Sequence, residues 1–393
     1  MTGSAGAARS ETAEGTAVSA ETARQVAFFT PAPDFGGAQR VTVNIANTLA
    51  ARGHDVDLVA GHLEGEFVSL IGDAVDTVEL DVPRVPAAGI LAAVPRLVSY
   101  LDERRPDVLF ASRTHTNIAA VTAGRLTDAD VHVAITEHSP FDHLPTRKDR
   151  ATAALAARVY PYADDVVGVS EGVAKTVVEH TGVDPDGTTV LNNPIDIAAI
   201  QSGATESVEE AWLDDPEIDP IVAVGRLKAS KDFATLLRAF ARLRERRPST
   251  RLVIVGKGTE RDTLESLADD LGVADTVTFT GYTDNPYAYM GRASVFAMPS
   301  KVEGLPTVLI EALACGCPIV STDCQYGPRE ILDDGDYGRL TPVGDPVRMA
   351  ERIGEALDDP TPPERCRERA QHFSMAAGAD RYESYIEAVA ADD

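Results

Sequence analysis

Residues 294–330, SVFAMPSKVEGLPTVLIEALACGCPIVSTDCQYGPRE, contain two apolar runs separated by a helical segment. The runs at 294–299 and 318–322 have the composition of buried strands, and Pro306 marks the start of the helix between them. Two strands that are joined through a helix can lie parallel in one sheet. The stretch therefore predicts one unit of an α/β fold.

The same alternation of apolar runs and helical segments extends over nearly the whole chain. It predicts parallel sheets with helices on both faces and, over 393 residues, two doubly wound domains. The remaining predicted strands are 25–30, 54–60, 108–112, 131–136, 166–170, 221–226, 251–256 and 276–280. The predicted organisation is a disordered tail (1–23), a first domain (24–196), a linker (197–219), a second domain (220–372) and a C-terminal helix (373–393).

Glu311 lies in the helical segment of the opening stretch, and no Lys or Arg occurs within four residues of it. Its neighbours are the apolar residues Val308, Leu309, Ile310, Ala312, Leu313 and Ala314. Burying an ionised carboxylate without a partner costs several kcal/mol or forces it to protonate. We therefore expect hydroxyl or amide donors beside Glu311, and those donors could belong to a ligand.

Glu303 lies eight residues before Glu311 and is followed by Gly304, Leu305 and Pro306. The amides at the start of the predicted helix are unpaired, and the helix dipole is positive there. Both effects favour an anion, and Gly304 allows a ligand to approach the backbone closely. The pattern predicts a phosphate site.

This pair of motifs, Glu-Gly-Leu-Pro followed by Glu-Ala-Leu-Ala-Cys-Gly, resembles the donor-site signature of the family 4 retaining glycosyltransferases. The resemblance covers most of residues 25–390. It implies the GT-B fold, in which two Rossmann-like domains face each other across a cleft and the C-terminal helix crosses back to the first domain. It also implies that Glu303 lies by the sugar and phosphates of a nucleotide-sugar donor, and that Glu311 binds the ribose hydroxyls.

The predicted strand 221–226 leads into a second match to the family. Its G-R-L-x3-K motif corresponds to Gly225, Arg226, Leu227 and Lys231, and the resemblance implies that Arg226 and Lys231 hold the donor diphosphate. Open α/β sheets bind ligands beyond the carboxyl ends of their strands. Fixed cations there stabilise the charge that develops on a departing nucleotide more than they stabilise the ground state.

Other residues of the second domain are assigned by resemblance alone. The loops containing Gly256, Gly258 and Tyr282 frame the nucleobase, and Ser300 approaches the phosphates. Leu305 and Pro306 belong to the same donor site. The side chains interpreted as core or wall residues are Tyr287, Tyr289 and Met290.

In the first domain, Gly36 and Gly37 form a glycine turn before a predicted helix. The turn lacks the lysine of a P-loop and the full G-x-G-x-x-G spacing, so kinase and dehydrogenase functions lose support. The resemblance implies that this loop extends to the donor phosphates and the acceptor.

His115 and His138 each follow the end of a predicted strand of the first domain. A single histidine is as often structural as functional, but two at neighbouring strand ends favour a site. By resemblance, His115 is the first choice for a contact with the transferred sugar or the acceptor, and Arg113, Glu137 and His138 are further candidates. The predicted catalytic set is His115, Glu303, Arg226 and Lys231.

The amino-acid composition limits the possible partners and the cellular location. The 62 acidic residues against 36 Lys and Arg give a net charge of −26, which makes nucleic acid an improbable partner and resembles the cytoplasmic proteins of extreme halophiles. Only six residues are Lys, and four of them, Lys228, Lys231, Lys257 and Lys301, fall in loops beside the motifs. No apolar run approaches the roughly 20 residues that span a bilayer, and the N-terminus lacks a signal-peptide pattern, so a cytoplasmic location is expected.

No metal or other cofactor is expected, because Arg226, Lys231 and a helix end can neutralise a diphosphate. The acidic pairs 55–57 and 128–130 have the Asp-x-Asp pattern of metal sites, but such pairs are expected by chance in so acidic a chain. Cys315, Cys317, Cys324 and Cys366 lack the spacing of zinc ligands and are expected to be buried free thiols.

The sequence thus predicts a glycosyltransferase that moves a sugar from a nucleotide-sugar donor, with UDP or GDP favoured, to an acceptor hydroxyl in glycan or glycolipid assembly. A lipid-linked sugar, a glycan and a small molecule all remain open as acceptors, as does association with the inner membrane face. The alternatives are a nucleotide-sugar epimerase on the same scaffold and a non-catalytic subunit that binds nucleotide sugars.

Overall fold

The computed structural model of the chain describes residues 23–32, 37–83, 86–142 and 146–391. Within these ranges the chain folds into two α/β domains. The predicted tail (1–23) falls almost entirely outside the described residues. Among the described helices, none combines the length and the apolar composition needed to cross a bilayer.

The first domain contains a parallel sheet of seven strands with the order β3-β2-β1-β4-β5-β6-β7. Its strands are β1 (Gln25–Thr30), β2 (Asp55–Ala60), β3 (Val75–Glu79), β4 (Val108–Ser112), β5 (His132–Glu137), β6 (Asp165–Gly168) and β7 (Thr188–Val190). The connecting helices are α1 (Gly37–Arg52), α2 (Pro86–Arg104), α3 (Thr114–Gly124), α4 (Arg147–Val159) and α5 (Glu171–Thr181).

The second domain contains a parallel sheet of six strands with the order β10-β9-β8-β11-β12-β13. Its strands are β8 (Asp219–Val224), β9 (Thr250–Val255), β10 (Val277–Gly281), β11 (Val295–Met298), β12 (Ile319–Thr322) and β13 (Arg339–Thr341). The helices that follow α5 are α6 (Ile197–Ala204), α7 (Phe233–Arg244), α8 (Arg261–Asp270), α9 (Tyr287–Met290), α10 (Thr307–Cys315), α11 (Pro328–Ile331), α12 (Pro346–Asp358), α13 (Pro363–Gln371) and α14 (Met375–Val389).

Every strand predicted from an apolar run is present, and the predicted fold class is confirmed: two doubly wound, Rossmann-like domains. The sequence analysis missed β3, β7 and β13, each of which lies at an edge of its sheet. An edge strand is covered less completely than a central one, so it need not be apolar along its whole length. In β3, for example, Asp76 and Thr77 are exposed, and only Val75 is buried.

The segment 197–219, predicted as a linker, is largely folded onto the second domain. Ile197 and Ile200 of α6 belong to the same buried cluster as Leu309 and Leu313 of α10. The sequence analysis did not predict this helix because its few apolar residues lie in an irregular, acidic segment. They are nevertheless sufficient to pack a short helix against the second domain.

The last helix, α14, packs on the first sheet. The ring of Tyr382 lies 5.2 Å from that of Phe110 and 6.4 Å from that of Phe28. At the edge of this contact, Arg52 of α1 forms ion pairs with Asp380 at 2.7 Å and Glu383 at 2.6 Å. The chain therefore returns from the second domain to cover the first.

The carboxyl edges of the two sheets meet across an interface with direct hydrogen bonds. The Ser170 hydroxyl donates to the Gly304 carbonyl at 3.1 Å, and the Tyr326 hydroxyl donates to Asp142 at 3.0 Å. Glu330 accepts from the Asn192 amide at 2.9 Å and from the Glu171 backbone N–H at 3.1 Å. The domains are thus in contact along one side of the cleft.

Candidate functional site

The second sheet has its topological switch point between β8 and β11, where successive crossovers run to opposite sides. Ligands of open α/β folds bind in the crevice at such a point. The loop after β8 carries Arg226 and Lys231, and the loop after β11 carries Ser300 and Glu303. The fold thus brings these four predicted site residues to one crevice, although they come from separate parts of the sequence.

Lys231 and Glu303 form the central contact of this crevice. The Lys231 ammonium donates to Glu303 Oε1 at 2.5 Å, and the two side chains are only 18% and 13% exposed. The loops are also joined by the Lys301 backbone N–H, which donates to the Ser230 carbonyl at 2.8 Å. Because the pair is shielded from water, a ligand anion that displaced Glu303 would find a fixed cation at short range.

Three further cations, Arg226, Lys228 and Lys301, lie on the same two loops, and all three are exposed. Burial lowers the pKa of the Lys228 ammonium, and the charges of Lys231 and Arg226 lower it further. Lys301 lies 3.3 Å from Asp232, which immediately precedes α7 in a left-handed conformation with φ 50°. Glu303 and Asp232 neutralise Lys231 and Lys301, whereas Arg226 and Lys228 form no ion pair with another described residue, so these two cations suit the crevice to a diphosphate.

Helix α10 begins at Thr307, one residue later than predicted, with Pro306 immediately before it in an extended conformation. Glu311 is half-buried in its second turn. Burial raises the pKa of Glu311, whereas Arg40, a Thr307 hydrogen bond and Lys231 oppose the rise. Thr307 lies one turn earlier in the same helix, no ion pair of Glu311 is found among the described residues, and donors from elsewhere in the fold or from a ligand stay a prediction.

Ser300 is fully buried, and its hydroxyl has no hydrogen-bond partner among the described residues. Leaving a buried hydroxyl unsatisfied costs on the order of 1–3 kcal/mol. Ser300 lies at the start of the loop that carries Glu303, so a phosphate oxygen in the crevice is a partner of suitable chemistry.

Gly304 has a different role from the one that its position in the motif suggested. A Cβ atom at Gly304 would lie 2.3 Å from the backbone carbonyl oxygen of His138 in the first domain. The glycine therefore makes room for the opposite domain, whereas the sequence analysis expected room for a ligand. Leu305 and Pro306, which follow it, are buried, and their place in the donor site stays a prediction.

The loops predicted to frame a nucleobase pack against the loop after β8. A Cβ atom at Gly256 would lie 2.0 Å from the Gly225 carbonyl oxygen, and one at Gly258 would lie 2.2 Å from that of Leu227. Tyr282 extends from the end of β10 with half of its surface exposed, and the Lys257 ammonium lies 4.6 Å from the centre of its ring. An exposed ring beside a cation provides a surface on which a base could stack.

In the first domain, Gly37 is the first residue of α1, and Gly36 lies outside the described residues. Arg113 precedes α3 with φ 81° and ψ 135°, a conformation that is strained for a residue with a side chain. Its charge acts on His115 and on His138, so these three candidates lie together at the carboxyl edge of the first sheet.

Both histidines are neutral near pH 7. Burial lowers the pKa of His115 to about 4, with help from Arg113 and Lys148, and burial and Arg113 lower the pKa of His138 to about 4. Neither ring nitrogen of His138 has a hydrogen-bond partner among the described residues. Neutral imidazole can accept one hydrogen bond and donate another, which suits a contact with sugar hydroxyls.

Glu137 is held differently. It is 3% exposed and accepts hydrogen bonds from Asn117 at 3.1 Å, from Thr114 at 3.4 Å and from the Tyr160 hydroxyl. Burial raises its pKa to about 7, against the opposing effect of these donors. Glu137 is thus hydrogen-bonded to partners inside the first domain. We therefore assign it a structural role in place of the substrate contact suggested from the sequence.

Arg40 was missed by the sequence analysis. It is exposed in the first turn of α1, and its positive charge lowers the pKa of both Glu311 and Tyr287, against the rise that burial causes. The charge of Arg40 thus acts on the donor crevice from the opposite domain. The sequence shows only a basic residue three positions after Gly37. It could not be assigned to the donor site without knowing how the two domains face each other.

The acidic pairs lie away from the crevice. Asp55 begins β2, at the amino edge of the sheet, and forms a cluster with Asp57 and Asp76. Arg104 pairs with Asp57, and the Tyr100 hydroxyl donates to the same carboxylate at 2.5 Å, so this cluster already has a cationic partner. The four cysteines are buried and free.

Comparisons with known proteins agree with this geometry. The family model for glycosyl transferases group 1 matches residues 208–373, and the model for glycosyltransferase family 4 matches residues 35–199. Together they cover both domains. The chain belongs to the family 4 glycosyltransferases.

Individual relatives show how far this likeness extends. This family 4 glycosyltransferase is 36% identical over 205 residues to the Campylobacter jejuni N-acetylgalactosamine-N,N'-diacetylbacillosaminyl-diphospho-undecaprenol 4-alpha-N-acetylgalactosaminyltransferase. That alignment covers 52% of the chain and 54%, about half, of the relative. A second Campylobacter jejuni enzyme, GalNAc-alpha-(1->4)-GalNAc-alpha-(1->3)-diNAcBac-PP-undecaprenol alpha-1,4-N-acetyl-D-galactosaminyltransferase, is 27% identical over 85% of the chain and 89% of its own length.

Among solved structures, HepE of Anabaena in complex with UDP superposes with a TM-score of 0.76. The superposition covers 93% of this chain and 100% of that one at 19% identity. The likeness confirms the GT-B fold for this family 4 glycosyltransferase.

Proposed function

We propose that the chain is a retaining glycosyltransferase that moves a sugar from a UDP- or GDP-linked donor to an acceptor hydroxyl. The observation that carries the proposal is the shielded contact of Lys231 with Glu303, 2.5 Å apart, beside Arg226 at the switch point of the second sheet. Arg226 and Lys228 are exposed on the same loop, and cations at the mouth of a crevice favour a diphosphate over a neutral ligand.

In the proposed reaction, the bond between the anomeric carbon and the phosphate oxygen breaks, and a bond from that carbon to the acceptor oxygen forms on the same face. The bonding electron pair leaves with the diphosphate, whose oxygen then takes the proton of the acceptor hydroxyl. Arg226 and Lys231 stabilise the charge that grows on the diphosphate, an effect that is larger in the transition state than in the ground state.

Glu303 is assigned to the sugar and not to covalent catalysis. When the donor diphosphate takes the place of Glu303 at Lys231, the carboxylate is released to accept hydrogen bonds from sugar hydroxyls. Glu311 would accept from the ribose hydroxyls, and their donation compensates the burial that raises its pKa. His115, neutral above pH 5, is assigned to the transferred sugar or the acceptor.

The proposal includes no metal. The cations around Lys231 and the amino end of α10 would perform the neutralisation that a divalent ion performs elsewhere. Sugar transfer is therefore expected to persist in EDTA. If EDTA abolished transfer and added Mg²⁺ or Mn²⁺ restored it, the metal-independent mechanism would be overturned.

The acceptor class is inferred from the relatives. Both Campylobacter jejuni enzymes are named for transfer of N-acetylgalactosamine onto undecaprenyl-diphosphate-linked sugars. They support glycan assembly on a lipid carrier. We further propose that this chain works in the cytoplasm at or near the inner membrane face. The net charge of −26 further supports function in concentrated salt.

The experiment that tests the proposal is a panel of nucleotide sugars screened for thermal stabilisation in molar KCl. A donor at one hundred times its dissociation constant should stabilise the fold by about 2.7 kcal/mol. Donors that bind are then assayed for hydrolysis and for transfer to lipid-linked and soluble acceptors. Conversion of the donor sugar without an acceptor would indicate an epimerase, and binding without turnover would indicate a non-catalytic subunit.

A further inference from the structure

Several hydrogen bonds between the domains meet at the amino end of α5, the first-domain helix that follows β6. Ser170 precedes this helix, is fully buried and accepts from the Val173 backbone N–H at 3.2 Å, so it caps the helix. Its hydroxyl proton is directed to the second domain, where it is donated to the Gly304 carbonyl at 3.1 Å. One side chain therefore both begins α5 and holds the loop that carries Glu303.

Glu330 of α11 approaches the same helix end from the second domain. One carboxylate oxygen accepts from the Glu171 backbone N–H at 3.1 Å, and the other accepts from the Asn192 side-chain amide at 2.9 Å. That amide also donates to the Val169 carbonyl at 3.0 Å, which fixes its orientation. A carboxylate at the amino end of a helix is stabilised by the helix dipole and by the free N–H groups. Both oxygens of Glu330 are thus bound to the first domain.

The two attachments belong to one closely packed part of the second domain. Gly327 lies immediately before α11, and a Cβ atom there would lie 2.6 Å from the Gly304 carbonyl oxygen and 2.5 Å from the Pro306 ring. The start of α11 and the loop that carries Glu303 therefore leave no room for a side chain between them. The two sets of hydrogen bonds hold the same unit of the second domain.

This unit faces the histidines of the first domain. Gly304, one residue after Glu303, packs so closely on the His138 backbone that a Cβ atom would lie 2.3 Å from the His138 carbonyl oxygen. The loop that carries Glu303 is thus held to the loop after β5 by packing, and to the start of α5 by the Ser170 hydrogen bond. Together these contacts set the distance between Glu303 and the first-domain candidates for the sugar contact.

We infer that Ser170, Asn192 and Glu330 are positioning residues, which hold the loop of Glu303 against the first domain so that both domains contact one sugar during transfer. None of the three is among the residues assigned to the donor or the acceptor, so their effect passes through Glu303. The inference rests on the proposed function, because it takes Glu303 and a first-domain histidine to bind the same sugar.

Kinetics distinguish a contact that only stabilises the fold from one that positions Glu303. A purely structural contact, when lost, would lower the free energy of unfolding and leave the turnover of the folded enzyme unchanged. Loss of a positioning contact would lower kcat, because a misplacement of about 1 Å at a reacting centre can cost about 100-fold in rate. It would leave donor affinity unchanged, since the cations that bind the diphosphate lie within the second domain.

The test measures kcat for hydrolysis of the UDP- or GDP-sugar that stabilises the full chain, together with its dissociation constant by calorimetry. Ser170→Ala, Asn192→Ala and Glu330→Gln should each lower kcat by at least about tenfold, with the dissociation constant within about twofold. Glutamine keeps the size of the Glu330 side chain but loses its charge and one acceptor oxygen. The double variant Ser170→Ala, Glu330→Gln should lower kcat by less than the product of the single effects, because both residues act on the same loop.

Two helix caps away from this contact provide matched controls. Ser374→Ala removes a hydroxyl that caps α14 by accepting from the Ala377 backbone N–H at 3.2 Å. Asp345→Asn removes the charge of a carboxylate that accepts from the Val347 and Arg348 backbone N–H groups, both at 3.0 Å, at the start of α12. Both controls should keep kcat within about twofold of wild type.

Site variants with the kcat of the controls, or with a donor affinity that falls as much as kcat does, would overturn the inference and leave the proposed function standing. If loss of the helix cap unfolds Ser170→Ala, the Asn192 and Glu330 variants decide the question, since neither residue belongs to α5. Absence of donor stabilisation or of turnover in wild type would instead count against the proposed function.

Discussion

Replacing Gly304 by alanine tests whether close contact between the domains is needed for turnover. The new Cβ atom would lie 2.3 Å from the His138 carbonyl oxygen, and a relaxed contact needs about 1 Å more. A backbone carbonyl cannot move aside as a flexible side chain can, so the domains must separate. A misplacement of about 1 Å at a reacting centre can cost about 100-fold in rate.

We therefore expect Gly304→Ala to lower kcat for donor hydrolysis or transfer by about 100-fold. The dissociation constant of the donor should change by less than about threefold, because Arg226 and Lys231 lie within the second domain. The matched control is Gly187→Ala, whose nearest neighbour would be the Asp164 carbonyl oxygen at 3.8 Å, an ordinary contact. A Gly304→Ala enzyme with normal kcat would refute the argument.

Three further predictions concern single side chains. Glu311→Ala should weaken donor binding by about 10- to 100-fold, because one or two hydrogen bonds to a charged group are lost. If calorimetry gave an unchanged donor affinity, the ribose contact would be contradicted. His115→Ala should lower the transfer rate by about 10-fold or more while the donor dissociation constant stays within about twofold, and rapid-quench and binding measurements separate the two effects. Glu137→Gln should alter the pH dependence of the free energy of unfolding. Because folding raises the pKa of Glu137 from 4.5 to about 7, its protonated form stabilises the fold below pH 4.5, and this stabilisation is lost as pH rises through 7. Urea unfolding should therefore show wild type losing about 3 kcal/mol relative to Glu137→Gln between pH 4 and pH 8, and parallel curves would contradict the structural role.

Much of the second-domain site could be predicted from the sequence because its residues lie in short motifs. Arg226 and Lys231 follow one strand directly, and Glu303 follows another, so the rule for carboxyl ends of parallel strands places them together. Glu311 was identified because a carboxylate among apolar neighbours demands an explanation. Both the strand-end motifs and the apolar surroundings of Glu311 can be read from a few neighbouring residues.

The features that depend on how the domains approach each other could not be predicted. Gly304 contacts a carbonyl more than 160 residues away in the chain, and Arg40 affects Glu311 only because the two sheets face each other. Glu137 illustrates the converse: its position at a strand end suggested a substrate contact, but Tyr160 and Asn117, distant in sequence, enclose it.

The most direct test of the donor site is calorimetric titration of UDP- and GDP-sugars into wild type, Arg226→Ala and Lys231→Ala. The control is Lys175→Ala, which removes a lysine whose side chain is 71% exposed and whose single ion pair within the described part of the chain is with Glu179 at 3.9 Å. Each charged contact to a diphosphate is worth about 1.5–3 kcal/mol, so each site variant should bind about 10- to 100-fold more weakly, with the control unchanged. Donor affinities that are the same in all four proteins would contradict the account.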